Sequence, residues 1–191
     1  MKVILTIVVL AAVLAAPHTT YAQGERTYKV LATTKTSTMQ KEMLDAGELG
    51  YRFVAVMGGD TAIGGSEVVV LMEKAPSERT RYSYRLLATS KTSTLQKELQ
   101  EAADTGWEAV GQTVFSSTFG GEETVGILER SSETPKKIKY EYKLIATSKT
   151  STLQKEVQEA AALGYQAVGM TVGKTAIGGS EIVVIMRKVA R

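Results

Sequence analysis

An α+β fold made of three tandem βαββ repeats is what this sequence predicts, each repeat a three-stranded antiparallel sheet with one helix on one face. Three observations carry that expectation. The eleven residues Ala-Thr-Ser-Lys-Thr-Ser-Thr-Leu-Gln-Lys-Glu run from Ala88 to Glu98 and again, unchanged, from Ala146 to Glu156, and a third version from Ala32 to Glu42 differs only at Thr34 and Met39. Self-similarity of this kind means repeated structural units. Each copy then passes a glycine followed by an aromatic residue: Gly50-Tyr51, Gly106-Trp107 and Gly164-Tyr165. Each copy ends on a β-rich run such as Val68 to Met72 or Ile182 to Met186, apolar at successive positions as in a central strand covered on both faces.

The elements follow in order. Opening strands are expected over 28–33, 84–89 and 142–147, each leading into Lys-Thr-Ser-Thr and one helix. Ser37, Ser93 and Ser151 each stand three residues before a glutamine, the spacing of a capping box, and so predict the helix start. Met39, Met43 and Ala46 form one apolar stripe at helical spacing; Leu95, Leu99 and Ala102 form the second, and Leu153, Val157, Ala160 and Ala161 the third. The glycines at 50, 106 and 164 supply the left-handed residue that stops each helix, with the following aromatic folding back on its last turn. Second strands are expected over 53–57, 109–114 and 167–172, and third strands over 67–73, 123–129 and 181–187, the third lying between the other two and antiparallel to both. The repeats then occupy 23–74, 82–130 and 140–188, with proline-containing charged linkers between them. One short helix covers only one sheet face, and a unit of this size is near the lower limit of independent stability. The open faces therefore predict packing of neighbouring copies, sheet against sheet, about a pseudo-threefold or in a row, or a partner chain in their place.

Residues 1–22 stand apart: Lys2, a mostly apolar run from Val3 to Ala16, Pro17, and a polar stretch ending in Ala22. This is the pattern of a secretory signal peptide cleaved before Gln23, which predicts a periplasmic or extracellular protein with no membrane insertion after cleavage. The chain has no cysteine, so packing alone must stabilise it in an oxidising compartment. Its net charge of +3, which falls to +2 when Lys2 leaves with the leader, is a thin surplus with no basic face for nucleic acid. His18, the one histidine, lies in the leader. Without histidine or cysteine the mature chain has no Ser-His-Asp or Cys-His constellation and no ordinary zinc site. No metal, cofactor or catalytic residue is expected.

The order strand, helix, Gly-aromatic turn, strand, strand, clearest in Gly106-Trp107-Glu108-Ala109-Val110 after the Tyr-x-Tyr opening of the strand, resembles a family of small bacterial βαββ domains of unknown function. The likeness covers all three copies, with tyrosine replacing the usual tryptophan in the first and third. It implies a fold and no activity.

Similarity is uneven along the repeats. The second and third copies agree at every position of the eleven-residue stretch but at 10 of 24 positions from Trp107 to Arg130. Thr61 to Glu67 is identical to Thr175 to Glu181. The up-down-up course of the chain brings these two stretches to one end of each unit. There Lys35, Ser37, Thr38, Gly64 and Gly65, then Lys91, Ser93 and Thr94, then Lys149, Ser151, Thr152, Gly178 and Gly179 would offer helix N-terminal N–H groups, hydroxyls, a lysine and close backbone approach. Such a set suits a small anion or acidic glycan. The competing expectation is that hydroxyls only cap the helices and that Lys35, Lys91 and Lys149 pair with Glu67, Glu123 and Glu181. The leading expectation is an exported, non-enzymatic structural or interaction module that takes a protein partner or associates with itself, with anion binding as the alternative.

Overall fold

A computed structural model describes residues 24–61, 65–116, 122–133, 138–174 and 179–190; the leader, the cleavage point, Gly64 and Gly178 lie outside these residues. The element order is β1 (Thr27–Thr33), α1 (Thr36–Glu48), β2 (Arg52–Thr61), β3 (Gly65–Lys74), then β4 (Tyr82–Thr89), α2 (Thr92–Asp104), β5 (Glu108–Ser116), β6 (Glu122–Ser131), then β7 (Tyr140–Thr147), α3 (Thr150–Ala162), β8 (Gln166–Lys174) and β9 (Ser180–Val189). The sheets run β1-β3-β2, β4-β6-β5 and β7-β9-β8, all antiparallel, so the third strand of every repeat is central. The second strands begin one residue earlier than the apolar pattern suggests and run further, by four residues in the first repeat and two in each of the others, because they stay paired with the third strands almost into the hairpin. A register shift interrupts each of these pairs at the same place, Phe53/Ala55, Ala109/Gly111 and Ala167/Gly169.

The helix ends behave as the glycines require. Gly50, Gly106 and Gly164 have φ of +86°, +86° and +88°. The N–H of each following aromatic reaches back five residues, Tyr51 to Ala46, Trp107 to Ala102 and Tyr165 to Ala160, each at 3.1 Å, while each glycine N–H bonds the carbonyl three residues before it. That pair of bonds is a Schellman motif.

The helix starts differ from the expectation. Lys35, Lys91 and Lys149, in extended conformation, occupy the N-cap position, and no side chain caps any of the three helices. Thr33, Thr89 and Thr147 instead accept the lysine N–H on Oγ1, at 3.2, 3.1 and 3.3 Å, which fixes the turn from strand to helix. Ser37, Ser93 and Ser151 are inside the first turn and exposed. Of the glutamines of the expected capping box, Gln40 and Gln96 bond the following repeat, and Gln154 is exposed.

The way the units stack also corrects the sheet-against-sheet expectation. Met39, Met43 and Ala46 of α1 share one core with Val68, Val70 and Met72 of their own sheet, and also with Tyr82, Tyr84, Val125 and Ile127 of the next. Leu95 and Leu99 of α2 likewise share a core with Leu87 and Leu128 on one side and Tyr142 and Ile185 of the third repeat on the other. The repeats therefore lie in a row in which each helix fills the space between its own sheet and the far face of the following sheet. Sheets also approach each other directly through β5 and β8, which meet the preceding sheet at β2 and β3 and at β5 and β6; a Cβ on Gly111 would come within 2.6 Å of the Phe53 ring, and Gln112 of β5 donates to the Val183 carbonyl of β9 at 2.7 Å and accepts from the Ile185 N–H at 3.2 Å. Removing the outer face of one sheet from water thus depends on the helix of the preceding repeat, an interaction of hydrophobic origin and of long range in sequence.

Candidate functional site

At each of the two junctions, helix glutamines bond the free edge of the next opening strand, one glutamine at the first and two at the second. Gln40 accepts the Leu86 N–H at 2.9 Å. One repeat on, Gln96 donates to the Tyr142 carbonyl at 2.8 Å and accepts from the Leu144 N–H at 2.5 Å. Gln100 donates to the Tyr140 carbonyl at 3.1 Å and accepts from the Tyr142 N–H at 3.1 Å. Each amide side chain sets an NH2 donor beside a carbonyl acceptor, which matches the alternating groups of an edge strand. An unpaired edge is a site of unwanted pairing, and here the helix covers it.

Tyrosine and charge complete the junction. The Tyr84 hydroxyl accepts the Phe53 N–H at 2.8 Å and donates to Glu129 at 2.9 Å, while Arg52 Nε reaches the same carboxylate at 3.0 Å. At the second junction the Tyr142 hydroxyl accepts the Ala109 N–H at 2.6 Å, and Arg187 pairs with Glu108. Burial is the main cause that raises the Tyr84 phenol well above its usual range, with the Glu129 carboxylate adding to it, and burial raises Tyr142 as well. Neutral hydroxyls are what these positions demand. The close seam of α1 against β4 shows in Gly47, where an added Cβ would collide with the Tyr82 carbonyl.

Among the described residues, the outer face of the first sheet and the outer side of the last helix have no repeat packed on them. Tyr28 and Val30 of β1 stand where Tyr84 and Leu86, or Tyr142 and Leu144, stand in the later repeats, yet they are 57% and 64% exposed. Met57, opposite Val69 in the ladder, is 67% exposed. Val69 and Leu71 between them are half-buried, whereas their counterparts Val125, Ile127, Val183 and Ile185 are buried. At the other end, α3 has one buried residue, Ala160, against four in each of α1 and α2. Gln154, Gln158 and Ala161 of α3 are exposed, as are Met170 and Val172 of β8.

The residues singled out for anion binding are placed as follows. Lys35, Ser37, Lys91, Ser93, Lys149 and Ser151 lie exposed at the starts of the three helices, with Thr38, Thr94 and Thr152 half-buried beside them. Thr33, Thr89 and Thr147 pair with Val68, Thr124 and Ile182, which puts each helix start at the hairpin end of its sheet. Gly65 opens β3 there, opposite Thr61, and Gly179 immediately precedes β9. A cleft of about 220 Å³ at this end is lined among the described residues by Thr34, Gly58, Glu67, Thr113, Glu122 and Thr171 together with apolar side chains, and by none of the candidate residues. Its two carboxylates oppose an anion. Among the described residues no ion pair joins Lys35 to Glu67, Lys91 to Glu123 or Lys149 to Glu181. A second cleft, of about 450 Å³, runs along β2, β5 and β8, and its charged residues include Arg52 with Glu129 and Arg187 with Glu108, which are already paired. Among the described residues no group of three acidic or histidine side chains is placed to hold a metal ion, and no helix is long and apolar enough to cross a membrane.

The glutamines were the functional signal that motif reading missed. In the sequence Gln40, Gln96 and Gln154 read as local caps, and Gln100 and Gln158, one turn on, carry no motif. Comparison with models of known families, with curated proteins and with solved structures finds no match to this chain.

Proposed function

We propose that the chain is an exported, non-enzymatic structural or interaction module whose working surfaces are the two ends of its row of repeats. The observation that carries this reading is the open face of the first sheet, where Tyr28, Val30 and Met57 are exposed around Val69 and Leu71. Repeat arrays that work as isolated soluble bodies close their ends with polar outer faces, and this end is apolar. The leader pattern in residues 1–22 supports export, and the Gly-aromatic turn with its strand order supports kinship with the small bacterial βαββ domains. The surfaces are built for contact, with apolar side chains beside an unpaired strand edge.

A photo-reactive residue placed at Val30, with one at exposed Arg85 as the control, tests the reading in producing cells. The expected result is a covalent adduct to a polypeptide from Val30 in the exported fraction and none from Arg85. Protein that stays in the cytoplasm, or equal labelling at both positions, overturns it.

The second reading, a small anion at the helix starts, is supported by the absence of a side-chain cap and of any acidic residue in the first turn of all three helices. Titrating phosphate while following the amide resonances of residues 35–38, 91–94 and 149–152 tests it. Selective shifts in the millimolar range are expected, and their absence removes this reading.

A further inference from the structure

We propose that this protein assembles head to tail with further copies of itself, the α3 helix of one copy docking on the open face and edge of the first sheet of the next. The proposal rests on the reading of the two ends as interaction surfaces and names their partner.

The internal junctions serve as templates. In both of them a helix lies on the far face of the following sheet, its glutamines bond the edge strand, and a tyrosine from that strand takes a backbone N–H two residues into the preceding second strand. Every part of that arrangement is present, unused, at the chain's ends. Gln154 and Gln158 hold the helix positions of Gln96 and Gln100, and from Thr150 to Ala161 the only departure of α3 from α2 is Val157 for Leu99. Ala161 is exposed where Ala103 is buried against the third repeat, so a small residue already waits at the seam. The Ala167 N–H occupies the place of those of Phe53 and Ala109. On the receiving side Tyr28 stands for Tyr84 and Tyr142, and the edge groups of Tyr28 and Val30 for those of Tyr142 and Leu144.

The exposures of Tyr28 and Val30 show that the two ends do not satisfy each other within one chain. A contact between two different surfaces, repeated from copy to copy, produces a closed ring when the rotation closes and a filament when it does not. One difference from the templates sets the strength of the new junction. Gln166 stands where Arg52 and Glu108 carry charge, and faces the position of Glu73, which is held by Arg26 at 2.9 Å. The intermolecular junction therefore lacks the ion pair that crosses both internal ones, and it also bears the entropy of association that a covalent linker spares them. Assembly is expected to depend on concentration.

The test uses the chain from Gln23, which contains every element of the fold, together with Val30→Glu and Ala161→Glu. Both substitutions fall at exposed positions, so each variant is expected to fold, which circular dichroism checks. Sedimentation velocity from micromolar to millimolar protein is expected to show the parent growing beyond the monomer, as discrete rings or as a polydisperse series, and each variant remaining monomeric. Mixing the two variants restores a single good junction, the α3 end of the Val30→Glu chain on the sheet of the Ala161→Glu chain, so a dimer and nothing larger is expected. A parent that is monomeric throughout overturns the proposal, and so does a dimer that either variant still forms alone, because that contact is isologous. A monomeric parent whose Val30 position nonetheless crosslinks another polypeptide in cells defeats this inference while leaving the proposed function standing.

Discussion

Helices α2 and α3 differ at two of their 13 residues, Leu99 against Val157 and Asp104 against Ala162, yet they occupy different environments. Leu95, Leu99, Ala102 and Ala103 of α2 are buried, whereas in α3 only Ala160 is. The apolar stripe is present in both. What separates them is a following sheet, since α2 lies between two sheets and α3 against one. The comparison teaches that in this chain burial is a property of the junction rather than of the repeat, as nearest-neighbour coupling in a repeat array requires.

The sharpest way to break the comparison is to remove the same atoms at both places. Leu95→Ala is expected to cost about 3 kcal/mol by loss of transfer energy and creation of a cavity between two sheets, and Leu153→Ala, half-buried against one sheet, about 1 kcal/mol, as read from chemical denaturation. Equal costs would mean that the second junction contributes nothing to the core. A smaller contrast is expected for the tyrosines. Tyr84→Phe strips the Phe53 N–H and the buried Glu129 carboxylate of a partner and is expected to cost about 2 kcal/mol, while Tyr28→Phe in dilute monomer leaves the melting curve unchanged.

The glutamines give a smaller effect, because water can reach part of a half-buried edge. Gln96→Ala is expected to destabilise by about 1 kcal/mol and to speed amide exchange at Leu144, with no change for Gln154→Ala at low concentration. The mildest perturbation is pH. Burial raises Tyr82, Tyr84, Tyr140 and Tyr142 above the ordinary phenol value of about 10, so their neutral forms favour the folded state. The contribution is complete below that value and is lost as pH climbs through the higher folded-state range. Thermal midpoints are expected to fall only in the alkaline region, in step with the rise in tyrosinate absorbance.

Much of the candidate site was legible, but under another meaning. The three-residue spacing of Ser37 and Gln40 read as a local capping box, and Gln40 instead reaches Leu86, 46 residues away. Spacing cannot tell the two apart, because a glutamine near a helix start satisfies either a local N–H or one that another strand brings to the same point. The helix stop at Gly50 was read correctly for the opposite reason. Only a residue free to adopt a φ of +86° closes that turn, whatever lies nearby. Gly111 and Gly169 carried no such signal, and their role appears only in the approach of Phe53 and Gln112 from the adjoining repeat.

The sequence by itself determined the repeat, its strand and helix order, the central place of the third strand and the helix stops, since these follow from periodicity and from backbone conformations that few residues share. The tertiary structure alone decided that a helix shares with the adjoining sheet in covering each neighbouring face, that the glutamines serve strand edges, and that Tyr28 and Gln158 stand exposed at opposite ends of the described residues. Those outcomes depend on which surfaces meet, and identical side chains acquire different energies according to what excludes water from them.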